Sequence, residues 1–97
     1  MPTYVLPSRF TQQGLERIEE SPARLEAARK TLEGLGGKLK QFYLTTGQYD
    51  SVIVIEAPDD ETVAKFSITT GALGNVRLET LRAFDEDEYR NLVRGLS

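Results

Sequence analysis

Apolar and polar positions alternate from Thr3 to Phe10, with Tyr4, Leu6 and Phe10 on one face and Val5, Pro7 and Arg9 on the other. This period predicts a first strand. Pro7 cannot donate to a ladder, so an irregularity or an unpaired amide position is expected beside it. Thr11-Gln12-Gln13-Gly14 then opens a short helical stretch, Gly14 to Glu20, with Leu15 and Ile18 pointing inward. A longer helix starts at Ser21-Pro22, read as a serine N-cap followed by proline at the first helical position. Leu25, Ala28, Leu32 and Leu35 recur at three- and four-residue steps, with Glu26, Arg29, Lys30 and Glu33 on the wet side. Gly36-Gly37 ends it.

Lys38 to Thr46 and Asp50 to Glu56 read as strands two and three, joined by the polar tetrapeptide Gly47-Gln48-Tyr49-Asp50. Strand three is apolar on both faces, Val52 and Val54 against Ile53 and Ile55, which places it inside the sheet. Pro58-Asp59-Asp60 caps a helix from Glu61 to Leu73, whose Val63, Phe66, Thr70 and Leu73 line one side. After Gly74-Asn75, strand four runs from Val76 to Phe84, with Val76, Leu78, Thr80 and Arg82 against Arg77, Glu79, Leu81 and Ala83. Asp85 and Glu88 form a capping box that opens a last helix through Leu96, striped by Tyr89, Leu92, Val93 and Leu96. The order is β-α-β-β-α-β plus a terminal helix, an α+β, ferredoxin-like (split βαβ) pattern. Right-handed crossovers put both main helices on one face of a four-stranded antiparallel sheet. The opposite face is left open and apolar, which predicts a homodimer or higher homo-oligomer formed through it.

With 97 residues the chain is read as one domain spanning 1–97. The longest apolar run, Val52 to Ile55, is far short of the roughly 20 residues that span a membrane. Met1-Pro2-Thr3-Tyr4 lacks the basic-then-apolar pattern of a secretory leader. The sequence has no cysteine and hence no disulfide framework, so a cytoplasmic setting is expected; it has no histidine either. A zinc site and a Cys/His nucleophile system are excluded, and haem lacks its usual axial ligands. No cofactor and no metal are expected. A net charge of −3, with basic residues interspersed among acids, gives no footprint for nucleic acid or for an anionic membrane.

Candidate chemistry concentrates at the tetrapeptide. Gly47 suits a positive φ, and Asp50 can bond turn amides or an arginine. Tyr49 and Asp50 are also the candidate catalytic pair, with Asp50 as proton acceptor and Tyr49 as a hydrogen-bonding phenol. The candidate ligand-contact set is Tyr43, Thr45, Gly47, Tyr49, Asp50 and Arg82. Leu6, Ile53, Ile55 and Leu81 are expected to face the helices. Val5, Arg9, Tyr43, Thr45, Val52, Val54 and Arg77 or Arg82 would then form the open face, as a pocket lining or a dimer core. Arg9, Arg77 and Arg82 are candidates for an organic anion or for pairing with Glu56, Glu79 or Asp50. Gly34-x-Gly36-Gly37 follows a helix and precedes a strand, the reverse of a phosphate loop. Asp85-Glu86-Asp87-Glu88 lacks the spaced ligands of a calcium loop and reads as a match to the helix dipole.

Several segments together resemble the GYD domain family. They are Phe10-Thr11-Gln12-Gln13-Gly14, Leu35-Gly36-Gly37-Lys38, Gly47-Gln48-Tyr49-Asp50, Glu56-Ala57-Pro58-Asp59-Asp60-Glu61, Gly74-Asn75-Val76-Arg77 and Thr80-Leu81-Arg82-Ala83-Phe84. Pro7-Ser8 departs from the larger residues expected in strand one. The resemblance implies a dimeric α+β barrel, in which two sheets face each other, and it implies no fixed chemistry. Three functions are in play. The first is a small-molecule-binding or accessory module, a homodimer with a ligand cavity between sheet and helices. The second is a cofactor-independent oxygenase or isomerase, and the third a plain oligomerisation domain.

Overall fold

The computed structural model describes residues 1–96. The elements are β1 (Thr3–Phe10), α1 (Gln12–Glu16), a 3-10 turn (Ile18–Glu20), α2 (Ser21–Gly34), β2 (Lys38–Leu44), β3 (Ser51–Glu56), α3 (Asp60–Ala72), β4 (Val76–Leu78), β5 (Leu81–Ala83) and α4 (Glu86–Arg94). The antiparallel sheet has the order β2-β3-β1-β4, and β5 pairs β1 farther along. Both inner strands are the ones whose two faces are most apolar. An α+β chain with an open antiparallel sheet, as read from the sequence, is observed, with strand four in two pieces.

Strand four divides in two where β1 carries Pro7. The β4 pairs (Ser8↔Leu78, Phe10↔Val76) and the β5 pairs (Thr3↔Ala83, Val5↔Leu81) keep one register across the gap. The Glu79 amide donates to the Pro7 carbonyl at 2.9 Å, but Pro7 has no N–H to return the bond. The ladder therefore lapses at Glu79-Thr80, beside the proline.

Tyr4, Leu6, Ile53, Ile55 and Leu39 point from the sheet into the core, where Leu32 of α2 and Val63 and Phe66 of α3 meet them. Leu81 does not join them. It lies opposite Val5 on the open face, whereas Arg82, opposite Tyr4, takes the helix side. In β2 a bulge between Leu39 and Gln41 inserts one residue. Leu39 pairs with Ile55 before it and Phe42 with Ile53 after it, so both face the helices and Tyr43 faces away with Val52.

The local signals behave unevenly. The end of α2 is a Schellman motif: Gly36 has φ +90°, its amide donates to Glu33, and the Gly37 amide donates to Leu32. Asp59 caps α3, and Asp85 with Glu88 makes the reciprocal capping box of α4. Ser21, however, is the first residue of α2 and not its cap, because the 3-10 turn runs directly into the helix. Leu15 and Ile18 are 53% and 41% exposed, not inward. Gly14 makes the inward contact of α1, so close to Asn75 that a Cβ there would stand 2.1 Å from the Asn75 carbonyl oxygen.

Candidate functional site

The β2–β3 connection folds back onto the end of β1. Gly47 has φ +106°, which lets the chain reverse. Thr45 and Asp50 close the turn by a backbone bond of 2.9 Å, and the Thr45 hydroxyl donates to the Tyr49 carbonyl at 2.6 Å. The Asp50 amide donates to the Ser8 carbonyl, and its carboxylate Oδ2 accepts from the Phe10 amide, each at 2.9 Å. Asp50 thus fastens the hairpin to β1 through main chain and side chain together.

Tyr49 turns to the open side. Its phenol donates to the Glu79 carboxylate at 3.0 Å, which raises its pKa above the ordinary 10.0. The Arg9 guanidinium lies 5.1 Å from the Tyr49 ring centre and donates to the Gln48 carbonyl. Arg77 is the ladder partner of Arg9. Tyr43, Thr45, Gly47, Tyr49 and Asp50 are therefore gathered on or beside one hairpin.

Arg82 stands apart from them, paired with Tyr4 near the other end of β1. It stacks 4.3 Å from the Phe84 ring centre, donates to the Thr3 carbonyl and lies 3.9 Å from Glu88. Beside it, the Tyr4 phenol donates to Asp60 at 2.5 Å. That bond, together with burial and the Asp60 charge, lifts the Tyr4 pKa above its ordinary 10.0. The six candidate contact residues thus divide between two ends of the sheet.

A cavity of about 110 Å³ lies between the sheet and helices α2 and α3. Its walls are apolar, from Leu25 and Ala28 of α2, Phe66 of α3, and Phe10, Ile53 and Leu78 of the sheet. On its sheet side lie Ser8 and Ser51, ladder partners on the two inner strands, 4% and 5% exposed and hydrogen-bonded to each other. Among the described residues no group of three or more Asp or Glu is placed to hold a metal ion, and no helix is long and apolar enough to cross a membrane.

The sequence profile of the GYD domain matches residues 4–93. The chain belongs to the GYD domain family. A family relative in Thermus thermophilus, named "Glutamine synthetase and cystathionine beta-lyase binding protein", is 34% identical over 84 residues, covering 86% of this chain and 88% of its own. The solved structure of TTHA0845, also from Thermus thermophilus, is similar in fold, with a TM-score of 0.51 and 27% identity. That likeness covers 88% of this chain and 95% of the other.

Within this GYD domain, the tetrapeptide that gives the resemblance its most distinctive residues is the hairpin lock described above. The cavity residues Ser8 and Ser51 were not among the sequence candidates. A signal for them existed: both are small and polar at positions whose same-face neighbours, Leu6 and Ile53, are buried aliphatics.

Proposed function

We propose that this GYD protein is a homo-oligomeric accessory module that binds partner enzymes, built as a dimeric α+β barrel in which the open faces of two copies pack together. The observation that carries this reading is uncovered apolar surface. Val5, Val52 and Val54 are half-buried on the open face and Leu81 is exposed there. On and just after α4, Tyr89, Leu92, Val93 and Leu96 are 47% to 85% exposed. α4 has 9 residues, fewer than the ~12–15 that an isolated helix needs to persist in water. Its apolar stripe therefore calls for a neighbour, and a second copy related by two-fold symmetry is the simplest one.

The relative's name supports the accessory role, and glutamine synthetase and cystathionine beta-lyase are the partners to test first. A cofactor-independent enzyme with Asp50 as base draws less support, because the Asp50 carboxylate is engaged by the Phe10 amide and Tyr49 by Glu79.

Native mass spectrometry at micromolar concentration tests the reading. The expected mass is a multiple of 10.9 kDa, falling to the single chain when α4 is removed. Added glutamine synthetase or cystathionine beta-lyase should shift it to a mixed complex. A single chain at that concentration that binds neither enzyme would overturn the proposal.

A further inference from the structure

We infer that the cavity over the Ser8–Ser51 pair is a binding site for a neutral, ring-sized apolar molecule carrying one hydroxyl or carbonyl oxygen. The inference goes beyond the accessory role and does not depend on any partner enzyme.

Size comes first. Native interiors are close-packed, with few voids larger than a water molecule. At about 110 Å³ this cavity approaches the ~150 Å³ of an apolar cavity known to admit benzene, and it is well below the ~300 Å³ where pockets for drug-sized ligands begin. Nucleotides and tetrapyrroles are too large for it. Its rim includes Ala27 of α2, Thr69 of α3 and Leu73 just after α3, all exposed, so a small molecule can enter between the helices.

Polarity comes second. Where β3 begins beside the last third of β1, on the face that is otherwise aliphatic, the sequence places two serines opposite each other. Two hydroxyls hold two O–H donors and four lone pairs, and their mutual bond uses one of each. One donor and three lone pairs remain for a guest. A hydroxyl or carbonyl oxygen meets them, whereas a pure hydrocarbon leaves them unanswered.

Charge comes third. Among the described residues no carboxylate lines the cavity. The one cationic residue among those lining it, Arg24, directs its guanidinium to the carbonyls of Arg17 and Gly14, each at 3.1 Å. An anionic guest would lose its hydration with no uncommitted cation among the described residues that line the cavity, so the preferred molecule is neutral.

The test is an amide-resolved NMR titration of the whole chain alone with phenol, benzene and benzoate. Phenol is expected to bind most tightly, shifting the amides of Ser51, Ile53, Thr70 and Val76, with benzene weaker and benzoate without effect there. Ser51→Ala should weaken phenol about 10-fold and leave benzene unchanged, since one hydrogen bond is lost and the apolar walls remain. Ala28→Leu should exclude both guests while the melting curve stays cooperative. The inference is overturned if phenol and benzene bind equally, if Ser51→Ala leaves phenol unaffected, or if the shifts map outside the cavity. Because no partner enzyme is present, failure here leaves the accessory reading standing, and loss of enzyme binding leaves this one standing.

Discussion

Glu79 donates its amide to the carbonyl of Pro7 and receives nothing back from that residue. One missing N–H on β1 explains why the fourth strand is split into two short pieces in a single register. Pro7→Val supplies the missing donor. The expected outcome is a continuous strand across 76–83, with a slowly exchanging new amide at position 7. Hydrogen exchange checks it, and fast exchange at that amide would show that the proline is not the cause. The change in stability should stay within about 1 kcal/mol, because the added bond is offset by a freer unfolded chain.

Asp50 offers a second contrast. Its carboxylate oxygen accepts the Phe10 amide at the end of β1. Asp50→Ala removes that acceptor and should lower stability by about 1–2 kcal/mol, while Asp50→Asn retains an acceptor in nearly the same place and should lose much less. Urea unfolding of the two variants measures the difference. Equal losses would mean that charge, not the hydrogen bond, is what the position supplies.

Tyr4 gives a prediction in pH. Its phenol is held protonated by donation to Asp60 and by burial, so its folded pKa lies above the ordinary 10.0. Between the two values the folded state binds more protons than the unfolded state, and stability falls as pH rises. The contribution is fully present below pH 10 and is lost as the pH climbs through the folded pKa. Tyr4→Phe should be less stable than the parent at neutral pH by about 1 kcal/mol and should show a flatter decline above about pH 10. Parallel alkaline declines for the two proteins would remove Tyr4 from the account.

Much of the fold was readable because local signals agreed with one another. The double-faced apolar run Val52 to Ile55 marked an inner strand, Gly36-Gly37 a helix end, and Asp85 with Glu88 a helix start. Reading failed where tertiary contact overrode local pattern. Leu15 and Ile18 carry the right spacing for burial, but the close approach of Gly14 to Asn75 sets how α1 lies, and it leaves both side chains wet. Leu81 is aliphatic and sits on the open face, since the register with Val5 decides its side and hydrophobicity does not. The hairpin candidates came together because they are adjacent in sequence. Arg82 did not join them, and no spacing in one sequence could say which end of β1 it would reach. Ser8 and Ser51 are distant in the chain, and only the β1–β3 register makes them a pair.

The extra residue in β2 has a consequence for how such a chain can change. Phe42 and Tyr43 are neighbours in sequence, yet one borders the cavity and the other looks out from the opposite surface. The bulge at Lys40 lies just before them. Deleting that single residue would remove the bulge and leave Phe42 opposite Ile53 and Tyr43 opposite Val52, so each aromatic would keep its side. The bulge therefore acts as slack in the strand: a one-codon loss there would straighten the ladder and leave both surfaces intact, whereas the same loss in a strand without a spare residue would turn one of its ends inside out.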